Sequence, residues 1–164
     1  MKIIDELRFH ELVARGEIMH RDCEFLDGLK IGLRIKPSGK MLPPVVNFAS
    51  PGAEQHAIDF QTTQIQANTL YLAETVEQLS ISSRIFGLLH TRSRVARLGL
   101  EAVCGSNYVA PGFGNGESTS LVLEIKSTRT LVGLPLALPI AGLLLFELDR
   151  AVRVGAQMPG RFPF

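Results

Sequence analysis

Three guanidinium groups and one carboxylate mark out the chemistry open to this sequence. Arg92, Arg94 and Arg97 fall within TRSRVARLGL (91–100), in a chain with 17 basic and 16 acidic residues and a formal net charge of +1. With no general positive field to draw in nucleic acid, any anion site must be local. A short helical turn starting beside arginines suits phosphate, because free backbone N–H groups point outward at a helix start and guanidiniums add two-pronged donors. The alternative is a solvated basic turn balanced by Glu74, Glu77 or Glu101. Downstream, SLVLEIK carries Glu124. If 119–125 is extended, Leu121, Leu123 and Ile125 take one face of the strand, and Ser120, Val122 and Glu124 the other. A carboxylate so placed either pairs with a cation, one of the three arginines being available, or has a raised pKa and serves as a general base.

Between these stretches lies CGSNYVAPGFGNG (104–116). Gly105, Pro111, Gly112, Gly114 and Gly116 allow tight turning and close approach of another molecule. Tyr108 in this hairpin either stacks on a ring or fills the core. Other reactive side chains are scattered. Cys23 and Cys104 form no CxxC pair, so neither a disulfide framework nor a zinc cluster is indicated, and reduced, partly buried thiols are expected. His10, His20, His56 and His90 show no ligand spacing; HELVA (10–14) lacks the second histidine of H-E-x-x-H, and the zinc deaminase signature is absent.

The elements that must position these groups read as mainly β. IIDELRFHELVARGE (3–17) predicts a helix capped by Asp5 and stopped by Gly16, with Ile4, Leu7, Phe9, Leu12 and Val13 on its apolar side. GLKIGLRI, NTLYLAETV, QLSISSRIFGLL, STSLVLEIKS and GLLLFELD read as strands, separated by turn clusters such as KPSGKMLPP and APGFGNGES. RSRVARLG interrupts them as a short helix with Ser93 as its cap and Gly99 as its end. Many short strands with one early helix predict a sandwich or barrel. At 164 residues the chain predicts one domain over 1–164. Its start, MKIIDELRFH, has no apolar run leading to a cleavage site. The longest apolar stretch, LVGLPLALPIAGLLLF (131–146), is short for a membrane helix and broken by Pro135 and Pro139. A buried strand after a proline-bearing turn is expected there, in a cytoplasmic protein with neither membrane nor nucleic acid as partner.

The order of arginine turn, glycine-rich hairpin and glutamate strand resembles the dCTP deaminase branch of the dUTPase superfamily. That branch carries Arg-Ser-Ser-Leu-Ala-Arg-Leu-Gly-Leu, then a hairpin ending Asp-Pro-Gly-Phe/Trp-x-Gly, then a strand with Leu-Glu. Here the residues read RSRVARLGL (92–100), APGFGNG (110–116) and LVLEI (121–125), and IIDELRFHELVARGEI and FLDGLKIGLRI are similar to the family's opening helix and first strand. The resemblance implies a dUTPase-like distorted β-barrel or jelly roll with an N-terminal helix and one short internal helix, assembled as a homotrimer with sites between subunits. It implies a pyrimidine deoxynucleoside triphosphate as substrate, with Mg²⁺ bound to the triphosphate and no zinc. Arg92 and Ser93, with Arg94 beside them, match the triphosphate grip. Arg97 matches the arginine at the end of that turn, near the phosphates and the reacting water. Val122, Leu123 and Glu124 match the segment meeting the pyrimidine, with Glu124 as catalytic acid and base.

The sequence also departs from the pattern. Ala110 stands where the family has an aspartate at the sugar and site water, Arg94 replaces the second serine, and Ser127 stands where asparagine is common. The closing VRVGAQMPGRFPF departs from the family's Lys/Tyr/Gln segment and offers Gln157 as its candidate. Three functions remain open: hydrolytic deamination of dCTP, a dUTPase-like pyrophosphohydrolase, and a non-catalytic nucleotide-binding or structural homologue.

Overall fold

Among the described residues eleven strands build two antiparallel sheets that close on one core, with burial alternating along the longest of them. The computed structural model describes residues 1–43 and 55–153. Its elements are β1 (Lys2–Ile4), α1 (Glu6–Ala14), β2 (Ile18–Arg21), β3 (Lys30–Leu33), β4 (Ile35–Met41), β5 (His56–Asp59), β6 (Leu70–Ile81), β7 (Ile85–Thr91), α2 (Ser93–Ala96), β8 (Leu100–Glu101), β9 (Tyr108–Val109), β10 (Thr119–Ser127) and β11 (Ala141–Glu147). One sheet runs β1-β11-β7-β9, with β3 also on β11; the other runs β5-β4-β6-β10-β8, with β2 also on β6. Each sheet thus has one long strand whose edge is shared by two shorter ones. The mainly β fold with two helices agrees with the sequence expectation. Among the described residues no helix is long and apolar enough to cross a membrane.

The core lies between the inner faces: Leu33, Ile35, Tyr71, Ala73, Ile85, Leu121, Leu123, Ile125, Leu143 and Leu145 are all buried. Helix α1 closes one side of it. Asp5 accepts from the backbone N–H of Arg8 at 2.8 Å, and Gly16, at φ +72°, ends the following turn, as expected. Its buried residues are Phe9 and Leu12. Leu7 is 74% exposed, contrary to expectation, because at 100° per residue it lies about 200° from Phe9.

Three further differences have physical causes. The two strands expected at 68–76 and 78–89 are instead one strand of 12 residues, β6, and a second, β7, joined through Ser82–Arg84. Thr75 and Glu77 interrupt the apolar alternation in the sequence, yet both are buried, with Glu77 accepting from the Arg34 N–H and Nε at 2.7 Å each. Strand β3 passes through Arg34 directly into β4 and changes sheet there, so GLKIGLRI serves both layers. Ile4 belongs to β1 rather than to the helix. The strand and proline-bearing turn expected at 131–146 are present as β11 and the segment before it. Gln157 lies outside the described residues.

Candidate functional site

The arginine turn is anchored at both ends to different sheets. After β7, Arg92 is extended and donates its backbone N–H to Ile140 O at 3.0 Å, while its Nη1 reaches Pro139 O at 3.3 Å. Helix α2 follows for four residues, with Arg92 rather than Ser93 at its N-cap and no side-chain capping bond. Val95 packs on the core, and Ser93, Arg94, Ala96 and Arg97 are exposed. Gly99, at φ +87°, turns the chain as expected. Its carbonyl accepts from Thr128 N at 2.9 Å and from Ser127 Oγ at 3.2 Å. Ser127, 1% exposed, is therefore the latch between the arginine turn and the end of β10. In the sequence it stood out only as a departure from asparagine.

Strand β10 displays the expected alternation, with Leu121, Leu123, Ile125 and Ser127 inward and Val122 56% exposed. Glu124 stands on the outer face opposite Leu72, three residues before Ser127 and so roughly 10 Å from the latch at 3.3 Å per residue. The segment after β8 crosses over it. Cys104 N donates to Glu124 O at 3.1 Å, and Gly105 lies directly against the Glu124 carboxylate, so that a Cβ there would overlap Oε2 and stand 2.8 Å from Cδ. The sequence predicts only a turn at Gly105; the contact comes from a strand residue 19 positions away. Among the described residues no ion pair joins Glu124 to Arg92, Arg94 or Arg97, and Glu74 and Glu77 pair instead with Lys36 and Arg34. Leu123 is 1% exposed, so only its backbone can face a ligand. Val122 borders a recess of about 400 Å³ with Leu72, Glu74, Lys36 and Lys40.

Ala110 sits elsewhere. The hairpin that it opens packs on the β6–β7 turn, with Gly112 N donating to Ser82 O and Ile81 N to Phe113 O. It borders a cavity of about 1190 Å³ together with Phe86, Tyr108, Phe113 and Glu117. Tyr108 is 49% exposed and tilts against Phe86 at 5.8 Å, so it is no core filler. Six residue steps along β7 and out of its end lead from Phe86 to Arg92, about 20 Å of extended chain. Within one chain the arginine turn and Glu124 share one end of the fold, while Ala110 lies toward the other.

The thiols are kept protonated. Burial, then Glu101 and Glu124, pushes Cys104 up to about 11, and burial, then Glu77 and Asp22, pushes Cys23 up to about 12. Among the described residues no three His, Cys, Asp or Glu side chains gather as metal ligands.

A family model described as dCTP deaminase-like matches residues 29–138. The crystal structure of 2'-deoxycytidine 5'-triphosphate deaminase from Agrobacterium tumefaciens superposes with a TM-score of 0.60 at 14% identity, over 88% of this chain and 46% of that one. This chain therefore spans about half the length of that deaminase. A Staphylococcus bacteriophage 80alpha dUTPase with dUPNHPP superposes at 0.52 with 12% identity, over 86% of this chain and 89% of that one. A mutant dUTPase from phage phi11 of S. aureus, whose structure concerns the coordination of a structural Mg(II) ion, reaches 0.50 at 12% identity, over 86% and 98%. At these identities the likeness carries the fold alone. No curated protein sequence matches the chain.

Proposed function

Because the chain belongs to the dCTP deaminase-like family, we propose that it binds a pyrimidine deoxynucleoside triphosphate and hydrolyses dCTP to dUTP and ammonia. The observation that carries this reading is the Gly99–Ser127 latch, which ties the arginine turn to the strand bearing Glu124. Arg92, Ser93 and Arg94 grip the triphosphate from the exposed turn, with Arg97 at its end near the phosphates and the attacking water. Backbone groups of Val122 and Leu123 meet the pyrimidine edge. Glu124 takes a proton from water as its oxygen adds to C4 and passes that proton to the ring nitrogen; it then takes the proton of the new C4 hydroxyl and delivers it to the amine, so that the C4–N bond breaks, ammonia leaves and the C4 carbonyl forms. Mg²⁺ accompanies the triphosphate and neutralises part of its charge, and no zinc is needed for this route.

The roughly 20 Å between Ala110 and the arginine turn supports a homotrimer in which the hairpin of one copy completes the site of the next. We take 1–164 as a single unit of this kind, acting in the cytoplasm. The test incubates purified protein with dCTP and with dUTP, both with Mg²⁺, and scores ammonia and pyrophosphate separately. Ammonia from dCTP that disappears in Glu124→Gln supports the assignment; full activity in that variant overturns it. Pyrophosphate from dUTP selects a dUTPase-like pyrophosphohydrolase. A second reading rests on Ala110, which puts a methyl group where a carboxylate would bind sugar and water. On that reading the protein binds a pyrimidine triphosphate without turning it over, and thermal stabilisation with neither product formed selects it.

A further inference from the structure

We propose that Thr75 is a positioning residue for Glu124, fixing where along the sheet that carboxylate stands through the hydroxyl it lends to the backbone of β10. The inference rests on Glu124 being the group that acts on substrate. Strands β10 and β6 do not pair uniformly. Thr119 and Ser120 face Leu79 and Gln78, whereas Val122, Leu123 and Glu124 face Glu74, Ala73 and Leu72. One residue of β10, Leu121, is thus set against three of β6: Thr75, Val76 and Glu77. Here a side chain stands in for the ladder. Leu121 N–H donates to Thr75 Oγ1 at 2.9 Å, and that hydroxyl donates to Glu77 O at 2.6 Å. Thr75 is 0% and Glu77 2% exposed, so neither bond competes with water.

The other edge of β6 is held at the same place. Val76 N donates to Arg34 O at 2.9 Å, and the Glu77 carboxylate accepts from Arg34 N and Nε. The irregularity is therefore pinned from both neighbouring strands.

Its consequence for Glu124 follows from the register. Continued unshifted from Thr119 and Ser120, the ladder would set Glu124 opposite Glu74, two carboxylates face to face across the strands. The shift sets it opposite Leu72, two residues or about 6.7 Å further along, where Gly105 meets it. A shift of two keeps the inward and outward alternation, so the core residues of β10 do not require it. The position of Glu124 does.

The experiment compares the parent, Thr75→Val, which keeps the size and loses both hydrogen bonds, and Thr75→Ser, which keeps the hydroxyl. In protein labelled with ¹³C-glutamate, the Glu124 carboxyl signal is assigned by its loss in Glu124→Gln. Positioning predicts that this signal moves in Thr75→Val and returns in Thr75→Ser, with faster amide exchange at Leu121 in the Val variant. It also predicts that kcat on dCTP falls on the order of 100-fold in Thr75→Val, with KM within about twofold and recovery in Thr75→Ser. A lowered urea midpoint with the Glu124 signal unmoved would mean a merely structural threonine and overturns the proposal. A signal that moves in protein without dCTP turnover upholds the positioning and sinks the deaminase reading instead. Should the Val variant not fold, Thr75→Cys is read in the same way.

Discussion

Replacing Gly105 with alanine tests the candidate site at its tightest contact. The added Cβ would stand 2.8 Å from Cδ and 3.1 Å from Oε1 of Glu124 and would overlap Oε2. Non-bonded carbon atoms settle at about 3.5–4.0 Å, so the carboxyl must retreat by roughly 1 Å. It can do so by rotating its own flexible side chain, and Gly105 is exposed and outside the left-handed region, so the fold loses little, about 0.5 kcal/mol or less. Catalysis is less forgiving, since a misplacement of about 1 Å can cost on the order of 100-fold in rate. The expected result is a kcat on dCTP reduced by about two orders of magnitude, in a protein whose melting temperature is close to the parent's. Ammonia release under saturating dCTP, with a thermal melt of the same preparation, measures both. Unchanged kcat in a folded Gly105→Ala protein would refute the claim that Glu124 acts from the place where Gly105 holds it.

Three further outcomes follow from other contacts. Arg34→Ala strips the cation from Glu77, whose side chain is 2% exposed, and should cost about 3 kcal/mol in urea unfolding; a loss under 1 kcal/mol would contradict the buried-pair account. Gly99→Ala forces a Cβ into φ +87° and to 2.6 Å from Thr128 Oγ1, and should cost about 1–2 kcal/mol, read as a lowered melting temperature. Hydrogen bonds from the Arg8 guanidinium hold the Glu147 carboxyl below its ordinary 4.5. The unfolded chain therefore takes up that proton first as pH falls, so this contribution to stability is full above about pH 4.5 and is lost as pH drops through the lowered value. Urea midpoints against pH should show a shallower acid limb in Glu147→Gln than in the parent.

What was legible in the sequence is what local periodicity encodes. The Asp5 cap, the Gly16 and Gly99 turns, and the outward placement of Val122 and Glu124 all follow from residues within a turn or a strand of one another. Less was legible wherever a distant partner decides. Glu77 falls between the two strands expected from the sequence, because the arginine that satisfies it is 43 residues away. Leu7 passed for core because the short helix buries only Phe9 and Leu12. Ser127 and Gly105 carried no pattern of their own. Their roles arise where one end of β10 meets the arginine turn and the chain after β8 crosses the strand. The arginines and Glu124 were singled out together; that Ala110 lies about 20 Å away along β7 is a property of the topology, not of spacing in the sequence.

The pairing of Lys2 with Glu147 and of Ile4 with Leu145 has a kinetic implication. Among the described residues the first strand has β11 as its only sheet neighbour, so its contacts are about as non-local as a chain of this length permits. During synthesis, the ladder of Ile3 and Ile4 forms only after β11 has left the ribosome, since among the described residues no earlier strand pairs with β1. Such closure contributes a large sequence separation and slows the final folding step. Truncation within β11 should therefore release the amino-terminal strand as well, with both ends of the chain opening to proteolysis together.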